Sequence, residues 1–179
     1  MTPTFLADSI WCIDLEALVQ RGIRGIILDL DNTIVDWNGS WLRPEVVEWV
    51  HAARARGLRL CLVSNALRGG RVKRVAEELG ICAVLRAGKP LPRAFRRGMQ
   101  ALGTEPSSPC AIGDQVFTDI IGATRLGLTS VLVRPLSPRE ALHTRLIRLV
   151  ERPLRKRWRR RLTIFAAGCM PAAEENWQK

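Results

Sequence analysis

Five short apolar runs rich in β-branched residues punctuate this chain, and the stretches between them are amphipathic, opened by proline or closed by glycine. This alternation constrains the fold more than any other feature. Strands covered on both faces need near-continuous apolar runs, and parallel neighbours need a helical crossover between them. The runs fall at 25–30, 59–64, 81–86, 110–113 and 129–133. Between the first two, Pro44 suits a first helical turn, Val46, Val47 and Val50 form an apolar stripe, and Gly57 closes the segment. The same reasoning predicts helices over 71–79, 92–102 and 118–126, closed by Gly80, Gly103 and Gly127. The expectation is an α/β unit over 1–136, a five-stranded parallel sheet in three layers, with no insertion long enough for a second domain. A chain of 179 residues, 47% of them hydrophobic, suffices for one well-cored domain.

The charge lies elsewhere. Of the net +11, ten basic residues and two acids between Arg139 and Arg161 supply +8. From Pro138 onward, Leu142, Leu146, Leu149, Val150, Leu154, Trp158 and Leu162 recur at helical spacing, with Pro153 interrupting them. The segment 137–162 therefore reads as a basic amphipathic helical tail, followed by a weakly apolar, frayed end at 163–179. Two readings of the tail stand. Its stripe docks on the sheet, or it forms an interfacial helix with arginines on anionic lipid and Trp158 near the headgroups. Tyrosine is absent and aromatic residues are sparse in the tail, which disfavours a stacking surface for nucleic acid. No run approaches a membrane-spanning length, and the first ten residues lack a secretory pattern. The expected location is cytoplasmic, with the inner membrane face as a peripheral site. Cys61, Cys82 and Cys110 sit in apolar runs and no CxxC occurs, so the cysteines read as core residues rather than zinc or redox groups.

In open α/β sheets ligands bind beyond the carboxyl ends of the strands. Here the first strand ends in Asp29-Leu30-Asp31-Asn32-Thr33, the second in Ser64-Asn65, and the fourth in Gly113-Asp114-Gln115, with Asp119 after it. Carboxylates gathered at a buried edge repel one another and lose hydration, so such a set implies a cation. Oxygen-only ligands point to magnesium. Alternation along a strand sends Asp29 and Asp31 to the same side, where one can attack and the other can move protons. Lys89 adds a compact positive charge, while Ser64 and Asn65 offer neutral donors to phosphoryl oxygens. These parts fit phosphoryl transfer through an aspartyl-phosphate.

The ordered set DxDxT, serine after the second strand, Lys-Pro and GDxxxxD resembles the four-motif signature of the haloacid dehalogenase-like (HAD) phosphatase superfamily, subclass IIIA. LDLDNTIVDW, LVSNA, RAGKP and IGDQVFTDIIGATRLG resemble its YqeG-type, phosphatidylglycerophosphatase-like family, from about Phe5 to the basic tail. The resemblance implies a Rossmann-like HAD fold with strand order 5-4-1-2-3 and no large cap. It implies Asp29 as nucleophile, Asp31 as general acid and base, Thr33 bracing the loop, and Ser64 and Lys89 on the phosphoryl group. Magnesium is implied on Asp29, the Asp31 backbone carbonyl and Asp114, with Gln115 and Asp119 supporting. Aspartate at position 31 favours a phosphatase over the superfamily's ATPases and dehalogenases. Asn32 replaces the commoner glycine, as the family itself does.

Several residues keep a plainer reading. Asp119 suits a helix entry, Ser64 and Asn65 suit helix caps, and Asp36 suits solvent. Trp37 and Trp41 either contact substrate or pack over the sheet edge. Arg68, Arg71, Arg86 and Arg125 are candidates to ring the site, whereas His51 and His143 lie in helical segments away from it. The short link between Asp31 and Ser64 leaves no room for a lid, which favours a large substrate that closes the site itself. The expected activity is therefore hydrolysis of a phosphomonoester on a lipid headgroup such as phosphatidylglycerophosphate. The alternatives are a soluble nucleotide or sugar phosphatase, and an RNA or ribonucleoprotein-binding module with a vestigial site.

Overall fold

The computed structural model describes residues 2–103 and 109–138, together with Glu151 and Trp158. Six parallel strands form its single sheet: β1 (Phe5–Ala7), β2 (Gly25–Leu28), β3 (Arg59–Val63), β4 (Cys82–Val84), β5 (Pro109–Gly113) and β6 (Thr129–Val133), ordered β1-β6-β5-β2-β3-β4. Without β1 this is the expected order. The additional strand lies at the edge, pairing Phe5 with Val131 and Ala7 with Val133. Three residues are too few to show a period of two, so sequence reading passed over it. The ion pair between Arg134 and Asp8, 3.2 Å long, lies just beyond this pairing.

Helices α1 (Leu15–Gln20), α2 (Pro44–Ala55), α3 (Gly69–Leu79), α4 (Pro92–Ala101) and α5 (Ile121–Thr124) cover the sheet. Strand alternation divides them between its two faces. Ile26, Leu28, Leu60, Leu62 and Ile112 point towards α1, α2 and α3, where Leu18, Val46, Val50 and Val75 meet them. Ile27, Cys61, Val63 and Ala111 point the other way, against Ala94 and Phe95 of α4 and Ala123 of α5. The strand β2 is buried along its whole length because β3 and β5 flank it and helices lie on both sides. Cys61 and Cys110 are buried and Cys82 is half-buried, all three as free thiols.

The predicted helix over 118–126 is instead a π-helical turn, Val116–Ile120, that runs into the short α5. Amphipathic spacing does not distinguish the two locally, and π segments are found mostly at functional sites. Most of the tail calls, 137–162 and 163–179, lie outside the described residues. Glu151 and Trp158 are the described residues beyond Pro138, and both are helical and buried. Trp158 packs with Leu6, Val116, Ile120 and Leu132. Of its two expected places, docked on the sheet or near lipid headgroups, Trp158 takes the first: its ring belongs to the core. No helix among the described residues is long and apolar enough to cross a membrane.

Because Leu6 joins the edge strand to this cluster, Leu6→Ala is predicted to cost about 2–4 kcal/mol through the cavity it leaves. Urea unfolding of the full chain measures it; a loss near zero would mean that β1 contributes little to the core.

Candidate active site

The candidate residues gather where four strands end, β2, β3, β4 and β5. The N–H of Asp29 donates to the carbonyl of Ile112 at 2.9 Å, which carries the β2–β5 pairing one residue past the strand. This places the Asp29 carboxylate beside the end of β5, where Asp114 follows Gly113. The turn after Asp29 requires Asn32 at φ 60°, a left-handed conformation that suits glycine and asparagine. Asparagine thus substitutes for glycine here on conformational grounds. Its carboxamide oxygen accepts from the Trp37 N–H at 3.2 Å, tying the turn to the loop beyond. Thr33 is buried, with its hydroxyl 3.5 Å from Asp29 Oδ2.

Lys89 reaches this edge from the loop after β4. Its ammonium donates to Asp29 Oδ1 and, at 2.7 Å, to Asp119 Oδ1. Asn65 holds that loop: its carboxamide oxygen accepts from the N–H groups of Gly88 and Lys89 at 2.9 and 2.8 Å, and its Nδ2 donates to the Lys89 carbonyl at 2.9 Å. Its carboxamide, expected to meet phosphate, is thus used on both sides to shape the loop that carries the lysine. Ser64 is buried at the end of β3, where its hydroxyl accepts from the Ala66 N–H at 3.1 Å.

Asp31 stands apart from the other carboxylates. It receives Arg71 Nη2 at 2.7 Å on Oδ2 and the Asn38 N–H at 2.8 Å on Oδ1. Arg71 also donates to the Gly39 carbonyl at 2.7 Å, so it clamps the loop and the acid together. The Asp31 side chain remains partly open to solvent, whereas Asp29, Asp114 and Asp119 are buried.

Carboxylate oxygens of Asp29, Asp114 and Asp119 lie within 4.8 Å of one another. All three are buried, and the Lys89 ammonium pairs with two of them, Asp29 and Asp119. Their all-oxygen donor set is the chemistry a hard divalent cation requires, so these residues fit such an ion. Burial pushes the Asp29 carboxyl up to about 7; Lys89 opposes the rise and Asp119 adds to it. Burial raises Asp119 as well, again against the pull of Lys89 and with the push of Asp114. For Lys89 burial acts downward, but Asp119 and Asp29 outweigh it and hold the ammonium charged well above its ordinary range.

Two contributors were not visible as such in the sequence. A Cβ at Gly113 would lie 2.3 Å from Asp119 Cγ, so only glycine there lets Asp119 fold back over the strand end. Gln115 completes that fold by donating its N–H to Asp119 Oδ2 at 3.1 Å. Glu151, from the basic segment, accepts the N–H groups of Val116 and Phe117 at 2.9 and 3.2 Å, satisfying the first donors of the π-helical turn. Gly113 had a sequence signal, its place directly before Asp114. Glu151 had none, because the contact spans a long separation along the chain.

A parallel sheet with paired acids on adjacent strand ends, a buried lysine opposite them and a third acid folded back beneath is the arrangement of a phosphoryl-transfer hydrolase. The chain belongs to the haloacid dehalogenase-like hydrolases, whose family model matches residues 38–127. It is a phosphatase of that family, a hydrolase of phosphoric monoesters. It is 36% identical over 150 residues to the "probable phosphatase YqeG" of Bacillus subtilis (strain 168), covering 84% of this chain and 87% of that one. It is 30% identical over 159 residues to the chloroplastic/mitochondrial phosphatidylglycerophosphate phosphatase 1 of Arabidopsis thaliana, covering 83% of this chain and 45% of that longer protein. The fold is shared with NagD from E. coli K-12 at a TM-score of 0.51 and 13% identity, over 68% of this chain and 91% of that one.

Two predictions follow from this geometry. Asp29 titrates near 7 in the metal-free fold, above its ordinary 3.8, so folding favours its protonated form and the metal-free protein loses that contribution as pH rises between those values. A divalent cation must displace the proton, and its thermal stabilisation of the protein is predicted to be larger at pH 8 than at pH 5.5. A melting shift that does not vary with pH would count against the cluster as the cation site. For Gly113→Ala, overpacking is expected to cost about 1–3 kcal/mol and to displace Asp119 from Lys89. Unfolding and ester hydrolysis measured on the same preparation would show both effects; wild-type values in both would refute the close approach.

Proposed function

We propose that the chain is a magnesium-dependent phosphomonoesterase that works through an aspartyl-phosphate on Asp29. The observation that carries this reading is the Lys89 ammonium shared between Asp29 and Asp119 in the buried carboxylate cluster. An oxygen of Asp29 attacks phosphorus, and the bond from phosphorus to the leaving oxygen breaks. Asp31, held by Arg71 at the open side of the site, protonates that oxygen. Water then attacks the acyl-phosphate, Asp31 takes its proton, and inorganic phosphate leaves with the Asp29 carboxylate restored. Lys89 keeps its charge throughout, countering the nucleophile before attack and the phosphoryl oxygens during it. Asp29 and Asp114, with Asp119 beside them, would hold the magnesium, which when bound neutralises charge on the transferring group. Ser64 stands at the same edge as a candidate hydrogen-bond donor to the phosphoryl oxygens, as does the backbone of the loop that Thr33 braces.

The substrate is proposed to be the phosphomonoester of a lipid headgroup, with phosphatidylglycerophosphate as the leading candidate. The loops after β2, β3 and β4 carry no inserted domain, so among the described residues there is no cap to enclose a small metabolite. A relative over most of this chain bears the name of a phosphatidylglycerophosphate phosphatase, which supports the same class.

Phosphate release from p-nitrophenyl phosphate and from phosphatidylglycerophosphate in vesicles, with and without magnesium, tests both parts. Asp29→Asn is expected to abolish release, and Asp31→Asn to lower it by about 10²- to 10⁴-fold. Chelation is expected to stop the reaction and magnesium to restore it. Full activity of Asp29→Asn would end the covalent mechanism, and hydrolysis of the small ester alone would end the lipid assignment.

A further inference from the structure

The large apolar side chains that the described fold leaves exposed are Trp37, Trp41, Leu67, Leu91 and Phe117. All five belong to one edge of the molecule. Trp37 and Trp41 lie in the loop after β2, Leu67 in the loop after β3, Leu91 after β4, and Phe117 in the turn after β5. In a parallel sheet these connections leave from the carboxyl ends of the strands, which is where Asp29, Lys89 and Asp114 converge. The opposite edge and the outer helix faces expose none among the described residues. Trp41 is 66% and Leu67 79% exposed, so neither is packing over the sheet edge. Scattered exposure of single apolar residues is ordinary; its confinement to the rim of one site calls for an occupant.

Charge identifies that occupant. Arg68, Arg86 and Arg93 are exposed in the same loops or at the helix start that follows them. Arg43 lies over the Trp41 ring at 5.7 Å, joining a cation to an aromatic face. Of the exposed acids at this rim, Asp36 is paired with Arg43 at 3.3 Å, and Glu45 stands at the start of α2. A rim of separate apolar side chains interleaved with arginines matches an anionic bilayer surface. Each tryptophan or leucine can insert between lipids without a complementary pocket, while the arginines meet headgroup phosphates.

We infer that this edge is itself a membrane-docking surface, which lays the catalytic carboxylates against the headgroup layer of an anionic bilayer. The inference rests on the lipid-phosphate reading given above and deepens it. The orientation brings the phosphoryl group to Asp29 at the depth where headgroups lie, and the bilayer covers the site in place of a cap domain. The basic segment between Arg139 and Arg161 is a separate matter, because the rim lies on loops of the core.

The test uses the full chain with vesicles of phosphatidylglycerol and phosphatidylcholine, read by sedimentation, and with p-nitrophenyl phosphate as a soluble substrate. Trp41→Glu/Leu67→Glu changes two exposed positions on different loops and is expected to weaken vesicle binding by about tenfold or more. Turnover of p-nitrophenyl phosphate and the melting temperature should stay at wild-type values, and Trp41→Phe/Leu67→Ile should bind vesicles as wild type does. Wild-type protein that fails to sediment with the vesicles, or a double glutamate variant that sediments equally well, overturns the docking surface. So does an equal loss on the soluble ester, since the rim would then serve the chemistry. Rim-dependent binding with no phosphate released from phosphatidylglycerophosphate added to the same vesicles would uphold the docking surface and dismiss the substrate class instead. Loss of all ester hydrolysis in wild type would count against the phosphatase mechanism and leave the sedimentation result standing.

Discussion

A single buried ammonium underlies the architecture of the active edge. Lys89 is enclosed between Asp29 and Asp119, where its charge opposes the burial that acts against the ionised form of both. Asp114 adjoins this pair with a carboxylate oxygen within 4.8 Å of theirs, so the three acids together offer oxygen ligands to one cation.

Much of the surrounding structure serves to keep Lys89 and its partners in register. Asn65 spends its whole carboxamide on the lysine loop, and Gln115 fixes Asp119 through a backbone N–H. Gly113 yields the space into which Asp119 folds. Arg71 performs the equivalent task for Asp31, holding it outside the buried cluster and near solvent. The separation of a buried, charge-paired Asp29 from a partly open Asp31 follows from these contacts, although the two are only two residues apart.

The rim around this site has the opposite character. Core positions in the strands are filled by side chains that pair off across the sheet, while the loops that leave its carboxyl edge turn tryptophan, leucine and phenylalanine outward. The loops are short, and no domain is inserted into those after β2, β3 and β4. Chemistry that benefits from excluding water must then obtain that exclusion from whatever the rim meets.

Local pattern determined the framework. Apolar runs and proline-opened, glycine-closed helices specified strands β2 to β6 and helices α2 to α4 to within a few residues, because period and capping are properties of neighbouring residues. The chemistry of the strand ends was legible for the same reason: Asp29, Asp31, Lys89, Asp114 and Asp119 stand at fixed offsets from those runs. What local pattern could not carry was decided by contacts between distant segments. The edge strand β1 exists because β6 offers it a partner, Trp158 is buried because Leu6 and Leu132 meet it, and Glu151 finds its donors at Val116 and Phe117. Likewise the choice of Arg71 for Asp31 and of Asn65 for the lysine loop depends on side chains brought together from different strands. Spacing along a chain reports which face a residue occupies; which group it meets there is set only when the sheet closes, since burial demands that each polar atom find a partner among those that folding happens to bring near.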